Sequence, residues 1–254
     1  TDRQVTNPEN QVDTQTFFRI EVLERADQCL HAQITPVIGG LQFSKKNTLL
    51  PVAVLYKALE PELKWFIHKQ HVMIHDVLSY FQTRPENRSE VHNNLTFGAT
   101  YQFSENFVQA FSHDEVVHGK GSLVNKMGLE DEADRIANLR ALLALQWTWP
   151  GKKTLFMGCE FGQWKEWDCD APLDWSLLDF PLHQGLRKLV ADLNHLYLSH
   201  QSWSKVDHQG DKFRWVDCND SARQTVSFLK FGQHPQDSLL VACNLSNQVV
   251  HRDW

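Results

Sequence analysis

The densest run of reactive side chains in the sequence is Phe111-Ser112-His113-Asp114-Glu115-Val116-Val117-His118-Gly119-Lys120-Gly121. It combines a hydroxyl, two imidazoles, two carboxylates and an amine. Adjacent Ser112, His113 and Asp114 on an extended chain cannot point at one another, which argues against a serine triad. His113 and His118 are five residues apart rather than four, off a common helical face, which argues against a helical zinc-protease site. Sugar chemistry suits the run better: a carboxylate and an imidazole can hydrogen-bond hydroxyls and stabilise positive charge developing at an anomeric carbon. From local pattern alone, a solvated loop remains the alternative.

Two further groups carry chemical potential. His68, His71, His75 and Asp76 share a face if helical, so metal ligation is geometrically open, as is a role as ordinary surface side chains. Trp164, Trp167 and Trp175 lie in an acidic, loop-like stretch. They can form a wall on which sugar rings stack, or they can pack the loop.

The elements around these residues are legible. An apolar strand, Phe107 to Phe111, leads directly into the His-Asp run. Asp131 to Trp149 is predicted as a helix apolar nearly all round, stopped by Pro150-Gly151. Lys153 to Met157 reads as a second short strand, and Gly185 to Leu198 as an amphipathic helix. A helix is also expected from about Leu63 to Phe81. The His-Asp run thus falls at the carboxyl end of a strand in a β/α unit, where loops of barrel enzymes converge on one pocket. After residue 200 the period changes to strands: Phe213 to Val216, Thr225 to Phe231 and Leu239 to Asn244, separated by polar turns. With about three strands before Trp254, this β domain is expected to be incomplete.

Composition narrows the class. Of 254 residues, 42% are hydrophobic and 22% charged, as in a folded globular chain. A net charge of −6 without basic runs makes nucleic acid an unsuitable partner. No apolar stretch reaches the ~18 residues of a membrane span, and Thr1 to Thr16 lacks the apolar core of a secretory signal. Five scattered cysteines without a CxxC pair fit reduced thiols and a cytoplasmic location.

The motifs together resemble one family. SHDEVVHGKGSL (Ser112 to Leu123) is similar to a segment of the bacterial glycogen branching enzymes of the α-amylase superfamily. The similarity continues through YQFSENFVQAFSHDEVVHGKGSLVNKM, ANLRALLALQWTWPGKKTLFMGCEFGQWKEW and LDWSLLDFPLHQGLRKLVADLNHLY. LKW, MIHDVLSYF and HNNLTF extend it upstream, and FRWVDCND, TVSFLKF and LLVACNLS downstream, over about residues 62 to 246. The resemblance implies an α/β chain: the C-terminal part of a (β/α)8 TIM-type barrel followed by a truncated antiparallel β-sandwich. The divisions would be a divergent segment over 1–61, partial barrel over 62–203 and β domain over 204–254.

It also implies roles. His113 and Asp114 match the family's His-Asp pair after barrel strand seven, the Asp being the third active-site carboxylate. It holds sugar hydroxyls and favours an oxocarbenium-like state. Glu115, His118, Trp65, Glu160, Trp164 and Trp167 become substrate-binding candidates, with KTLFMG as strand eight and Glu160 to Trp167 as its loop. The implied reaction is retaining transglycosylation on an α-glucan such as glycogen or amylose. An α-1,4 link is cut, the chain is held covalently and then passed to a 6-hydroxyl, without metal or organic cofactor. A related trehalose-releasing hydrolase is a weaker alternative.

The chain departs from the family where chemistry is most demanding. The nucleophile Asp of an RVDAV-like strand and the acid of an AEES-like strand are not found. Phe18 to Leu23 echoes the first only faintly, with Glu21 for Asp, and Gln33 to Ile38 offers no carboxylate. FIHKQHV replaces the family's Trp- and Gly-containing stretch before Met73. A whole barrel takes about 250 residues, whereas about 200 precede the β domain here. Two expectations follow: an inactive, glucan-binding remnant, or one half of a site completed by a second polypeptide that supplies the missing barrel strands.

Overall fold

The computed structural model describes residues 18–23, 74–104, 107–200, 205–234 and 237–250. The expectations placed on Trp65, His68, His71, Gln33 to Ile38 and the first part of the helix from Leu63 lie outside these residues. Strand β1 (Phe18–Leu23) comes first. A helix over 74–82, α1, follows. It buries Ile74, Leu78 and Phe81, the recurrence of one apolar helical face. Short helical turns between Pro85 and Thr100 then lead to strand β2 (Val108–Phe111).

Helix α2 (Glu132–Thr148) begins where Asp131 caps it, the carboxylate accepting from the Ala133 and Asp134 amides at 2.8 and 3.3 Å. Its buried positions run from Ile136 to Thr148 almost without a gap, because α1, β2, β3 and α3 leave it little solvent face. The chain leaves α2 at Trp149, in extended conformation, and turns at Gly151 with φ +95°. A Cβ at Gly151 would lie 2.7 Å from the Phe107 carbonyl oxygen, so this turn needs glycine. Strand β3 (Lys152–Leu155) then pairs in parallel with β2, Val108 opposite Lys152 and Phe111 opposite Leu155. Helix α3 (Pro181–Ser199) packs on α2. It starts four residues before the expected Gly185, since a proline in the first helical turn has no amide hydrogen to leave unpaired.

Three strands complete the described chain: β4 (Phe213–Asp217), β5 (Thr225–Phe231) and β6 (Ser238–Asn244). They match the segments read from sequence to within a residue. With β1 they form one antiparallel sheet in the order β1-β6-β5-β4. The sheet therefore has four strands rather than the expected three, and Phe18–Leu23 is not a barrel strand beside β2. It runs antiparallel along β6, with Glu21 opposite Leu240, so its echo of the nucleophile strand ends at composition.

The buried core is continuous from α1 and α2 into β5 and β6, through Phe81, Leu142, Trp149, Phe228 and Val241. Trp149 lies at the join, its ring 5.6–5.7 Å from those of Phe213, Trp215 and Phe228. Polar groups cross the same seam. Arg88, 2% exposed, donates to the Leu245 carbonyl at 2.7 Å and to Asn138 Oδ1 at 3.0 Å. Lys230 Nζ meets Asp207 Oδ1 at 2.5 Å, and the Tyr197 hydroxyl donates to Asp207 Oδ2 at 2.8 Å. Among the described residues no helix is long and apolar enough to cross a membrane.

Candidate functional site

Parallel pairing puts the carboxyl ends of β2 and β3 side by side, and the Phe156 amide extends the ladder by donating to Phe111 O at 2.8 Å. The loops leaving both strands therefore emerge together. The first opens with a 3-10 turn, His113–Glu115, capped by Ser112. Glu115 reaches back, its Oε2 accepting from the Ser112 amide at 2.6 Å and the Ser112 hydroxyl at 2.9 Å, while Asp114 N–H donates to Ser112 Oγ at 3.2 Å. This reciprocal arrangement is a capping box.

The turn sorts the reactive side chains. Glu115 is 2% exposed and holds the turn together from inside. His113 and Asp114 face outward, with side chains 59% and 45% exposed, and His113 Nε2 lies 3.2 Å from Asp114 Oδ1. The chain is thus not extended at this point: neighbouring imidazole and carboxylate do meet, because a 3-10 turn rotates them toward each other. Ser112 still does not join them, since its hydroxyl is engaged by Glu115. No serine triad forms.

His118 follows at the exposed crest of the loop with φ +59°, between Val117 and Gly119 (φ +79°). The second loop supports this crest. Glu166 accepts from the Gly119 amide at 2.8 Å and from the Gly121 amide at 2.6 Å. Those two donors hold its carboxyl below the usual carboxylate range, with smaller help from His118 and Lys126. Trp167 N–H donates to Val116 O at 3.0 Å. The half-buried Trp167 ring lies edge-on to Phe156 at 5.3 Å, and Phe156 in turn lies 6.1 Å from the His113 ring.

The other tryptophans differ. Trp164 is half-buried, donates from Nε1 to Glu132 Oε1 at 3.2 Å and lies under the Arg135 guanidinium. It ties its loop to the start of α2. Trp175 is 57% exposed over Phe161, with ring centroids 5.3 Å apart. Glu160 is half-buried in the turn Cys159–Phe161 after β3. The structure therefore brings His113, Asp114, His118, Trp164 and Trp167 to one pair of loops, places Glu115 beneath them, and does not describe Trp65.

Two residues of these loops have roles that sequence reasoning missed: Glu166, and Lys120, whose Nζ donates to the Asp114 carbonyl at 2.7 Å. The partners of Glu166 lie 45 to 47 residues away, outside any local motif, and that of Lys120 lies 6 away, within the Ser112 to Leu123 run. The one available signal was a lysine between two glycines. For metals, Asp168, Cys169 and Asp170 alone among the described residues bring three potential ligand atoms within 4.8 Å of one another, all on exposed side chains. Exposed acidic groups of this kind are ordinary protein surface.

No protein-family model matches the chain. Relatives do. A protein of Synechococcus elongatus named "1,4-alpha-glucan branching enzyme GlgB" is 42% identical over 234 residues, which is 90% of this chain and 30% of that protein. Proteins of the same name from Aquifex aeolicus and Cellvibrio japonicus are 47% identical over 173 residues and 50% identical over 157. A match of 234 residues reaches well into residues 1–61, beyond the span over which the motifs alone carry the resemblance. The chain spans about 30% of the length of such relatives. Over nine-tenths of its residues it is a relative of the bacterial 1,4-alpha-glucan branching enzymes, and what it corresponds to is their C-terminal portion.

Proposed function

We propose that the paired loops after β2 and β3 form part of an α-1,4-glucan site, and that the chain is one portion of a retaining branching enzyme. The observation that carries this reading is the His113–Asp114 pair: partly exposed, 3.2 Å apart and at the carboxyl end of a parallel strand. An outward carboxylate and imidazole can take two neighbouring sugar hydroxyls. The negative charge of Asp114 then favours a ring developing positive charge at its anomeric carbon. Phe156, itself packed edge-on to Trp167, gives the imidazole an apolar neighbour on one side.

In this reading β2 and β3 are the seventh and eighth strands of a (β/α)8 barrel, and the antiparallel sheet belongs to a β-sandwich; residues 62–203 and 204–254 are their territories. Asp114 and His113 are the catalytic-site members carried here. His118, Trp164, Trp167, Glu160 and Trp65 are substrate-side candidates, and Glu115 acts through the turn. Retaining transfer also requires a carboxylate nucleophile and a carboxylic acid. A second polypeptide that supplies the missing barrel strands would bring them. The departures in sequence favour a second reading, a glucan-binding chain without turnover.

The test is to incubate the 254-residue chain with amylose, debranch the product and count new α-1,6 points, with maltoheptaose affinity measured beside it. Asp114→Asn should weaken binding and abolish any branching. Binding without branch points from a folded chain selects the non-catalytic reading. Equal affinity of parent and Asp114→Asn rejects the site.

A further inference from the structure

The loop after β2 is joined to the loop after β3 by the Trp167 amide on Val116 O at 3.0 Å, by Asn125 Nδ2 on Trp164 O at 2.7 Å, and by one carboxylate side chain. Glu166 receives the amides of Gly119 and Gly121 on its two carboxylate oxygens. The residue between those glycines is Lys120. Its ammonium donates to the Asp114 carbonyl at 2.7 Å, and its own carbonyl accepts from Lys126 Nζ. His118, Gly119 and Gly121 all have positive φ, at 59°, 79° and 72°. These conformations turn the Gly119 and Gly121 amides toward one point as an anion cradle, while the Lys120 amide between them donates to Val117 O at 3.3 Å. Here the anion is a side chain of the protein.

We propose that Glu166 is a positioning residue for Asp114: it fixes the Gly119-Lys120-Gly121 backbone so that Lys120 holds the carbonyl of the turn bearing the His113–Asp114 pair. The inference rests on the glucan reading above for its functional consequence, but not for its geometry. Asp114 is partly exposed, and its turn is held on the strand side by the capping box and at its end by the Val116 amide on His113 O and the Trp167 amide on Val116 O. Without Lys120 the opposite side of the turn has lost the contact from this loop. Without Glu166, Lys120 sits on a crest whose left-handed conformations have lost a carboxylate that favours them. Charged groups facing the cradle are His118, Lys120 and Lys126, all on the same loop. His118 and Lys126 favour the ionised form of Glu166, after the two glycine amides.

The experiment pairs amide exchange with a double-mutant cycle on the 254-residue chain. Glu166→Ala should speed exchange at the Gly119 and Gly121 amides. Glu166→Gln, which keeps one acceptor oxygen, should leave one of the two protected and serves if the alanine variant folds poorly. For maltoheptaose, Glu166→Ala and Lys120→Ala should each weaken binding about tenfold, the order of one lost charge-assisted contact. Together they should do no worse than either alone, because both act through one path. Independent, additive losses overturn the proposal, as does unchanged affinity or unchanged glycine exchange in a folded Glu166→Ala chain. If the parent and Asp114→Asn bind maltoheptaose equally, the glucan reading fails instead. The positioning claim is then decided by whether exchange at the Asp114 amide rises in both Glu166→Ala and Lys120→Ala.

Discussion

Glu115 and Asp114 are neighbours with opposite tasks, and the reason is a rotation of the backbone between them. A 3-10 turn of three residues sends Asp114 outward and folds Glu115 under Ser112. Replacing Glu115 by Ala leaves the Ser112 amide without its acceptor in a half-buried place. The expected cost is about 1–3 kcal/mol in urea unfolding. His113→Ala removes an exposed ring and should change stability by less than about 0.5 kcal/mol, while weakening maltoheptaose binding at the proposed site. The comparison separates the residue that builds the turn from the one the turn presents.

Helix α2 and its approach show how an element is placed. Asp131 satisfies two amides at its start, so Asp131→Ala should cost about 1 kcal/mol. Three residues earlier the chain passes close to the end of α1. The Gly128 amide donates to the Phe81 carbonyl at 3.1 Å, and a Cβ there would lie 1.9 Å from Gln82 O. Backbone cannot yield as a side-chain tip can. Gly128→Ala should therefore lower stability by about 2 kcal/mol or more, read as a lower urea midpoint with unchanged slope. Because α1, α2 and β2 share one apolar core through Ile74, Leu142 and Phe111, loss of this close approach also loosens the support beneath the candidate site.

At the scale of the whole molecule, the seam between the β/α part and the antiparallel sheet contains charge as well as aromatic rings. Asp207 and Lys230 have side chains 2% and 6% exposed. Asp207→Ala strands an ammonium in the interior and should destabilise by about 3–5 kcal/mol, whereas replacing both partners with apolar residues should recover much of that loss. Nearby Lys153 donates to the Trp149 carbonyl at 2.5 Å and also to Gly151 O. Burial pushes its pKa down to about 7; Asp207 opposes that shift, and Lys230 and Lys152 reinforce it. In the unfolded chain the group stays protonated to about 10.4. Between these values the unfolded state binds more protons, so stability rises with pH. The melting temperature should increase from pH 7 to 8.5, below the range where the buried Cys159 and Cys243 thiols, pushed up by burial, reverse the trend. Lys153→Met should flatten that rise.

The sequence by itself determined the local elements after residue 100, the family, and which two residues stand at the end of a strand. Periodicity, caps and glycine or proline stops act over a few residues, and a motif as dense as Ser112 to Leu123 requires no contact to be recognised. Only the tertiary structure decided which of those residues face outward. Glu115 read as a substrate-side carboxylate because a side chain's direction depends on the turn that carries it. Phe18 to Leu23 echoed the family's nucleophile strand only faintly, and nothing in so short an apolar segment marks β6 as its partner. Glu166 was invisible for the same reason. Its value lies in two amides more than forty residues away, and only the parallel pairing of β2 with β3 brings carboxylate and amides within hydrogen-bond reach.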